Sequence, residues 1–385
     1  MKNHITIPGV DVGIVIGRFQ VFHNGHYQMI KAAASLSKKL IICIGSVNKS
    51  PSPKNPFTPD FRKEMIVAGC DFVDCNDTDK VQFVYLNDFM YEDNKWLREV
   101  QEEVANRLLH WYGELATEQL SDLYGNKSDK IKVGLFGHLK DQSSYYLHKF
   151  PQWQLFELPG YDEAIHATEL RDDLWGNGQA GRKHLDQLEE SIPREVFKLI
   201  SKWTNTHGDI YQWLSEEDTF AKNYYDNVNP EGSHEYIRHT ADAVVTCKGH
   251  ILLIQRGKIP GEGLWALPGG HLEGSETLAQ AALRELIEEA GSRINPAVLH
   301  NAIRGEKNFD HPQRSLLCRT ITTAFYFPLN FKQLPLLVAA DDAMNAKWVT
   351  FNEFETMWFN RELFEDHGDI GSYYINSEAT QLITT

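Results

Sequence analysis

Residues Val12–Gly45, VGIVIGRFQVFHNGHYQMIKAAASLSKKLIICIG, contain a strand, a turn, a helix and a second strand in that order. The apolar run Val12–Ile16 predicts a buried strand, and Leu40–Gly45 predicts another. Between them, the pattern from about Gly25 to Lys38 predicts a helix. Because strands that alternate with helices usually form a parallel sheet, we expect an α/β fold with its ligand site at the carboxyl ends of the strands. Two further apolar runs predict more strands of this sheet, Phe83–Leu86 and Val133–Phe136.

Composition limits the number of domains and the class of partner. The chain has 385 residues, and since a domain usually has roughly 100–200 residues, we expect two domains. The net charge of -15 would repel nucleic acid, which is therefore not an expected partner. Five cysteines without a C-x-x-C pair fit free thiols in a reducing compartment. Without a signal peptide or a run of ~20 apolar residues, a cytoplasmic protein with no membrane partner is expected.

Changes in composition along the chain set the expected domain limits. Residues 1–190 hold the alternating strands and helices, and residues 191–234 form a polar, helical connector. The Asn, Pro and Gly residues of NVNPEGSHEY predict a loop, so we place the start of the last domain at residue 235. In residues 235–385, mixed strands surround one marked helix, a pattern that favours an α/β sandwich.

The turn after the first strand has the chemistry of a phosphate site. A helix N-terminus presents unpaired N–H groups and a partial positive charge, which favour an anion. Here His23 and His26 add donors one helical turn apart, Gly25 lets a phosphate approach the backbone, and Arg18 adds a cation nearby. Such a site can hold an attacking phosphate in line without a protein nucleophile. The alternative is that both histidines are ordinary helix-cap residues.

The segment GRFQVFHNGH, residues 17–26, resembles the signature of nucleotidyltransferases with an H-x-G-H motif, in particular the archaeal type of nicotinamide mononucleotide (NMN) adenylyltransferase. The resemblance implies a Rossmann-like N-terminal domain with a parallel sheet that binds ATP and NMN and produces NAD. It implies catalytic roles for His23, His26 and Arg18, and substrate contacts for Gly17, Phe19 and Gly25.

Three later segments resemble further blocks of the same family: GSVNKSPSPKNPFTPDFRKEMI (residues 45–66), FGHLKD (residues 136–141) and IHATELR (residues 165–171). Taken alone, the segment IHATELR would be an ordinary capped helix, and Ala167 stands where the family often has a serine. The acceptor segment DFMYEDNKW resembles the stretch that holds the nicotinamide ring, although it could equally be a buried aromatic at a strand-to-helix junction. The resemblance implies substrate contacts for Asn55, Arg62, Asp88, Asn94, Trp96, Gly137, His138, Lys140, Asp141 and Thr168, and a catalytic role for Arg171.

The helix expected from about Thr277 to Ala290 carries a cluster of acidic residues. Since an α-helix has ~3.6 residues per turn, Glu285, Glu288 and Glu289 share one face. Three carboxylates on one face repel each other unless a cation lies between them, and oxygen ligands suit Mg²⁺ or Mn²⁺. The alternative is a solvated acidic face without a ligand.

The surrounding stretch GGHLEGSETLAQAALRELIEEAGS, residues 269–292, resembles the Nudix box of pyrophosphohydrolases. Only Ser292 departs from the pattern, at a position that packs and does no chemistry. The resemblance implies a Nudix α/β/α sandwich in which Glu285, Glu288 and Glu289 act as catalytic metal ligands for Mg²⁺, with Mn²⁺ as a substitute, and Gly270 contacts the substrate. The flanking segments resemble ADP-ribose pyrophosphatases and make Arg256 and Arg314 candidate substrate contacts, although both could be exposed arginines.

Together, the two resemblances are those of the bacterial family of bifunctional NMN adenylyltransferase/Nudix hydrolases. They imply that one site makes NAD from NMN and ATP, and that the other splits ADP-ribose into AMP and ribose 5-phosphate. Two alternatives remain. The acceptor could be nicotinate mononucleotide or phosphopantetheine, and the Nudix domain could act on other nucleoside diphosphate derivatives or sense ADP-ribose or NAD. The sequence also leaves a homo-oligomer open.

Overall fold

The structure, a computed structural model, describes residues 9–71, 79–113, 116, 131–139, 142–159, 167–175, 189–229, 236–291, 294–337 and 343–384. The chain divides into two compact units. Unit 1 comprises Met1–Val47, Pro53–Asp88 and Glu92–Ser215, and unit 2 comprises Asn48–Ser52, Phe89–Tyr91 and Glu216–Thr385. Among the described residues, no helix has both the length and the apolar character needed to cross a membrane.

Unit 1 is built on a parallel sheet. Its described strands are β1 (Val10–Gly17), β2 (Ser37–Ile44), β3 (Val81–Tyr85), β4 (Val133–Gly137) and β5 (Gln154–Glu157). They lie in the order β3-β2-β1-β4-β5, and every neighbouring pair is parallel. The parallel-sheet fold expected from the sequence is therefore confirmed. Strand β5 was not expected, because its four residues at the sheet edge include only two apolar side chains.

Helices cover both faces of this sheet. They are α1 (Asn24–Leu36), α2 (Pro59–Gly69), α3 (Asp93–Tyr112), α4 (Ala167–Trp175) and α5 (Arg194–Thr206). A 3₁₀ helix spans Gln142–Lys149. The next helix, α6 (Gly208–Val228), continues past Ser215, so its second part belongs to unit 2. Because side chains alternate along a strand, Val15 and Ile42 join one apolar cluster while Ile14 and Ile41 join the other. Helix α1 ends at Leu36, two residues earlier than expected, since the backbone becomes extended at Ser37.

Unit 2 contains a mixed sheet. Its strands are β6 (Ile237–Cys247), β7 (His250–Arg256), β8 (Trp265–Ala266), β9 (Gly269–His271), β10 (Gly305–Phe309), β11 (Arg319–Leu329) and β12 (Ala343–Thr350). The main order is β10-β11-β6-β7-β12, with β8 beside β7 and β9 beside β6. Strands β6 and β7 form the expected hairpin, and Lys248 and Gly249 have positive φ angles, as a tight two-residue turn requires.

The helix expected to carry the acidic cluster is α7 (Leu278–Ala290). Thr277 and Gln280 form a capping box at its start, and Gly291 ends it in the left-handed conformation. Ala282 and Leu286 pack against the sheet, which holds the helix beside β9. The remaining helices are α8 (Pro296–Ala302), α9 (Phe351–Phe359) and α10 (His367–Thr384).

Candidate active sites

The carboxyl ends of the parallel strands in unit 1 meet at one edge of the sheet. The register pairs Gly17 with Ile44 and Ile44 with Tyr85, and the N–H of Gly45 donates to the carbonyl oxygen of Gly17 at 2.9 Å. The segments after these strands therefore start side by side. The order of the strands along the chain reverses between β1 and β4, and ligands of such sheets bind at this point.

The two histidines of the first motif lie together at the start of α1. His23 is the N-cap residue, and its Nδ1 accepts from the N–H of Gly25 at 3.2 Å. Nδ1 of His26 accepts from the N–H of His23 at 3.4 Å, and the ring centroids are 3.7 Å apart. Since Nδ1 is the acceptor in both rings, Nε2 carries the hydrogen in each neutral imidazole. Desolvation, followed by the neighbouring His23, lowers the pKa of His26 well below its usual range.

This arrangement combines the two readings of the motif that the sequence left open. His23 and His26 do cap the helix, and the capping bonds orient both imidazoles as Nε2–H donors. The N–H of Gly25 takes part in the cap.

Two arginines lie near this helix start. Arg171, on α4, is buried and donates to the carbonyl oxygen of Gln20 and, at 3.1 Å, to the hydroxyl of Thr168. Burial, together with the positive charge of Arg18, lowers the pKa of Arg171 to about 10. Because the charge of Arg18 affects the pKa of Arg171, the two guanidinium groups lie near the same region. An anion bound there would relieve the repulsion between them.

Arg62 and Phe19 support the loops through buried contacts. Arg62 is fully buried, and its Nη1 donates to the carbonyl oxygens of Arg18 at 2.8 Å and Gly45 at 2.6 Å. The ring of Phe19 is 1% exposed and meets His26 edge-on at 5.0 Å. A Cβ on Gly17 would lie 2.9 Å from this ring. These contacts show that the three residues, which we expect to contact the substrate, also position the loop.

The other expected contacts of unit 1 vary in their surroundings. Asp88 follows β3 and is half-buried, whereas Asn94 is exposed in the first turn of α3. Trp96 packs edge-on against Tyr146 at 5.7 Å, which fits the alternative of an aromatic in the core. Gly137 ends β4, and Nδ1 of the next residue, His138, donates to the carbonyl oxygen of Leu158 at 3.1 Å. Asn55 lies in the loop before α2. Lys140 and Asp141 lie outside the described residues.

In unit 2, Arg284 organises the acidic face of α7. It forms a fork with Glu276, with Nη2–Oε1 and Nε–Oε2 distances of 2.8 and 3.1 Å. Its Nη1 also donates to Glu285 at 2.8 Å and to Glu288 at 3.0 Å. Glu276 and Arg284 are eight residues apart in sequence, so this fork fixes the loop before α7 against the helix.

Two glycines let β9 approach the acidic residues. A Cβ on Gly270 would lie 2.3 Å from Oε1 of Glu285, and a Cβ on Gly269 would lie 2.1 Å from Oδ1 of Asp242. The N–H of Gly269 donates to Glu289 at 2.9 Å. Burial nevertheless raises the pKa of Glu289 to about 8, and the negative charge of Glu285 contributes to this rise. The protein thus places Glu289 where a compensating cation would stabilise its charged form.

The donor set of α7 suits a hard divalent cation, but its carboxylates do not converge. All three glutamates border one cavity of about 410 Å³. Arg284 holds Glu285 and Glu288 while Glu289 turns to the backbone of β9. Among the residues that the structure describes, no three His, Cys, Asp or Glu side chains are grouped closely enough to hold a metal ion. In this arrangement Arg284 forms ion pairs with two of the three carboxylates, those of Glu285 and Glu288.

The arginines expected to bind substrate both border this cavity. Arg314 is 5% exposed and forms a two-bond ion pair with Asp366, both bonds being 2.9 Å long. Arg256 donates to the carbonyl oxygen of Pro260 and lies 4.1 Å above the ring of Phe364. Within the described part of the chain, Arg256 has no ion-pair partner, so it is the better candidate to meet an anionic ligand.

The motifs did not reveal several charged residues of the cavity wall. Asp242 and His367 are buried, Glu365 is half-buried, and all three border the same space. Burial raises the pKa of Asp242 to about 6, and Glu365 has a positive φ of 45. Asp242 could have been noticed, because a carboxylate inside the apolar strand ADAVVT needs a partner. The other two follow α9 in a segment without a local signal.

Matches to family models agree with this division of the chain. A cytidylyltransferase-like model matches residues 14–139, and a NUDIX domain model matches residues 237–367. The first includes the two motif histidines, and the second includes the whole of α7. Both halves thus belong to enzyme families.

Known proteins resemble one half or the whole of the chain. A nicotinamide/nicotinic acid mononucleotide adenylyltransferase from Acinetobacter baylyi is 35% identical over 207 residues, which are 54% of this chain and 93% of the relative. A nicotinamide-nucleotide adenylyltransferase from Methanolobus tindarius is 55% identical over 51 residues, 13% of this chain but only 30% of that relative.

One solved structure matches nearly the full length. It is a bifunctional NMN adenylyltransferase/ADP ribose pyrophosphatase from Francisella tularensis in complex with AMP and a manganese ion, with a TM-score of 0.80 and 32% identity. The match covers 96% of this chain and 99% of the other. On the strength of two matched domains and this full-length similarity, the chain belongs to the family of bifunctional NMN adenylyltransferase/ADP-ribose pyrophosphatases.

Proposed function

We propose that unit 1 transfers AMP from ATP to NMN. An oxygen of the NMN phosphate attacks the α-phosphorus of ATP, the bond to the bridging oxygen breaks, and NAD and pyrophosphate result. The observation that supports this most strongly is the pair of imidazoles at the start of α1, whose Nε2–H groups are set by the capping bonds. Arg18 and Arg171 neutralise charge on the triphosphate, and Thr168 holds Arg171 in place.

Unit 2, on our proposal, hydrolyses ADP-ribose to AMP and ribose 5-phosphate. Water adds to one phosphorus of the diphosphate, and the bond from that phosphorus to the bridging oxygen breaks. Arg256 would meet the diphosphate, and Glu285, Glu288 and Glu289 would hold Mg²⁺ or Mn²⁺, which would replace Arg284 as the partner of two of these carboxylates. A divalent cation at such a site polarises the diphosphate and lowers the pKa of a water.

Nicotinate mononucleotide is a second candidate acceptor, because the name of the relative from Acinetobacter baylyi includes nicotinic acid mononucleotide. The two acceptors differ in one group, since nicotinate carries a carboxylate where NMN carries a carboxamide. Turnover of both, and of phosphopantetheine, with one enzyme preparation measures the preference directly. Preference for either rival over NMN would contradict our choice of acceptor.

The domain limits 1–190, 191–234 and 235–385 and the individual site residues are part of this proposal. So is a cytoplasmic location, which the free thiols of the four described cysteines support.

Two single variants test both reactions in one protein. The purified full chain is incubated with Mg²⁺, then with ATP and NMN or with ADP-ribose, and the products are identified by mass. His26→Ala removes one donor to the phosphates, and we expect the rate of NAD formation to fall on the order of 10²–10³-fold while hydrolysis of ADP-ribose is unchanged. Glu289→Gln should show the reverse pattern.

Each variant is the folding control of the other, and His110→Ala, on the exposed side of α3, is a matched histidine control. If Glu289→Gln leaves ADP-ribose hydrolysis intact, the assignment of the second site is wrong. Binding of ADP-ribose without turnover by the wild-type protein would instead favour a sensor.

A further inference from the structure

Helix α6 contributes to the hydrolase cavity although it precedes the matched NUDIX domain, which starts at residue 237. Glu217 on this helix is 2% exposed, and its Oε1 accepts from the N–H of Gly261 at 2.7 Å. Gly261 belongs to the loop 257–263 between β7 and β8, and much of this loop borders the cavity. The bond therefore ties the helix to the rim of the cavity.

Residues at positions 217, 220 and 224 lie on one face of a helix, because they are separated by three and four positions. Phe220 and Tyr224 accordingly line the cavity beside the residues of α7. Both are half-buried, and their ring centroids are 6.4 Å apart. The next residue, Tyr225, is 39% exposed and is not part of the lining. The helix thus presents two aromatic rings to the hydrolase site.

Arg238 on β6 completes this wall of the cavity. Its guanidinium carbon lies 5.5 Å from the centre of the Tyr224 ring, and its Nη1 donates to Nε2 of His271 at 2.8 Å and to the Tyr224 hydroxyl at 3.3 Å. Within the described chain, Nε of Arg238 is buried and has no hydrogen-bond partner. Buried donors are nearly always paired in native proteins, so an acceptor from a ligand would complete this site.

We propose that Tyr224, Phe220 and Arg238 form the subsite for the base of the nucleoside diphosphate substrate. A flat, electron-rich base stacks on aromatic rings and on guanidinium planes, and its ring nitrogens accept hydrogen bonds. A sugar phosphate has no such surface, and Arg256 and the acidic face of α7 already suit the diphosphate. This inference rests on the proposed hydrolysis of ADP-ribose and makes α6 part of substrate selection.

The test compares two adjacent tyrosines of one helix. Tyr224→Leu keeps an apolar side chain but removes the ring, and Tyr225→Leu makes the same change outside the cavity. For Tyr224→Leu we expect the KM for ADP-ribose to rise by about 5-fold or more with little change in kcat, because stacking contributes to binding. Tyr224→Phe keeps the ring, so its KM should stay near the wild-type value. The KM of Tyr225→Leu should equal that of the wild-type protein.

Product inhibition identifies which end of the substrate the subsite binds. In Tyr224→Leu, the inhibition constant of AMP should rise by the same factor as the KM, while that of ribose 5-phosphate should not change. The inference would be overturned by an inhibition constant that rises for ribose 5-phosphate but not for AMP. An unchanged KM, or a fall in kcat without a rise in KM, would overturn it as well. Wild-type protein that fails to hydrolyse ADP-ribose would refute the proposed function instead, and melting temperatures with NAD formation report folding of each variant.

Discussion

Gly270 and Gly274 lie four residues apart in the hydrolase motif and differ in the space around them. A Cβ on Gly270 would overlap the carboxylate of Glu285, whereas a Cβ on Gly274 would meet no heavy atom within 4 Å. A side chain at position 270 would therefore displace the carboxylate of Glu285, which the close approach of β9 to α7 now places beside Gly270.

Gly270→Ala should reduce ADP-ribose hydrolysis on the order of 10²-fold, because the new methyl group displaces a carboxylate by about 1 Å or more. Gly274→Ala should leave the rate unchanged, and both variants should retain NAD formation. Steady-state rates of both reactions check this. Equal effects of the two substitutions would show that the loop tolerates the extra carbon.

Helix α10 begins at a buried histidine. The ring of His367 is 6% exposed, and its Nδ1 accepts from the N–H of Leu267 at 2.9 Å. Desolvation lowers the pKa of His367 to about 3, Arg314 and Arg256 act in the same direction, and Asp366 opposes them. The start of this element therefore requires a neutral imidazole, a condition that no local pattern in the sequence indicates.

The depressed pKa predicts how the stability of unit 2 depends on pH. The unfolded chain binds a proton at His367 below about pH 6.5 while the folded chain does not, so the stabilisation is complete above that pH and is lost as the pH falls toward 3. Between these limits the loss approaches about 1.4 kcal/mol per pH unit. Urea unfolding of the full chain at pH 7, 6 and 5 should show this slope, and His367→Asn should reduce it.

His300→Asn, on the exposed surface of α8, is the matched control and should keep the wild-type slope. An equal slope in His367→Asn and wild type would assign the acid sensitivity to other groups.

At the scale of the whole molecule, a chain of net charge -15 serves two sites whose proposed substrates are anions. Such a chain repels these substrates at long range, so positive charge must be concentrated at the sites. Arg18 and Arg171 do this in unit 1, and Arg256 does it in unit 2. The acidic residues of α7 need an added cation as well.

Removal of divalent cations should accordingly stop ADP-ribose hydrolysis, and it should also stop NAD formation because ATP would react with a divalent cation bound to its triphosphate. With excess EDTA we expect NAD formation and ADP-ribose hydrolysis to fall to background, and Mg²⁺ or Mn²⁺ in excess of the chelator should restore them. Calorimetry with Mn²⁺ alone should detect a site in wild-type protein that is weakened in Glu289→Gln. Hydrolysis that persists in EDTA would contradict the role we assign to α7.

The sequence alone determined the features that depend on neighbouring residues. The spacing of His23 and His26 follows from a helix start, and the shared face of Glu285 and Glu289 follows from the helical repeat, so both fold classes and both motifs could be identified. Strand β5 was missed, because a short edge strand carries little periodic signal.

Only the tertiary structure decided which distant residues meet. Arg171 contacts Gln20 across 151 positions, Thr322 donates to Asp242 across 80, and Arg238 donates to Tyr224 across 14. The register of the sheets and the packing of buried side chains determine such pairs. Both depend on many weak interactions that are distributed over the whole chain. For the same reason, the assignment of Arg62 to the loop and the competition of Arg284 for two carboxylates could not be derived from motif spacing.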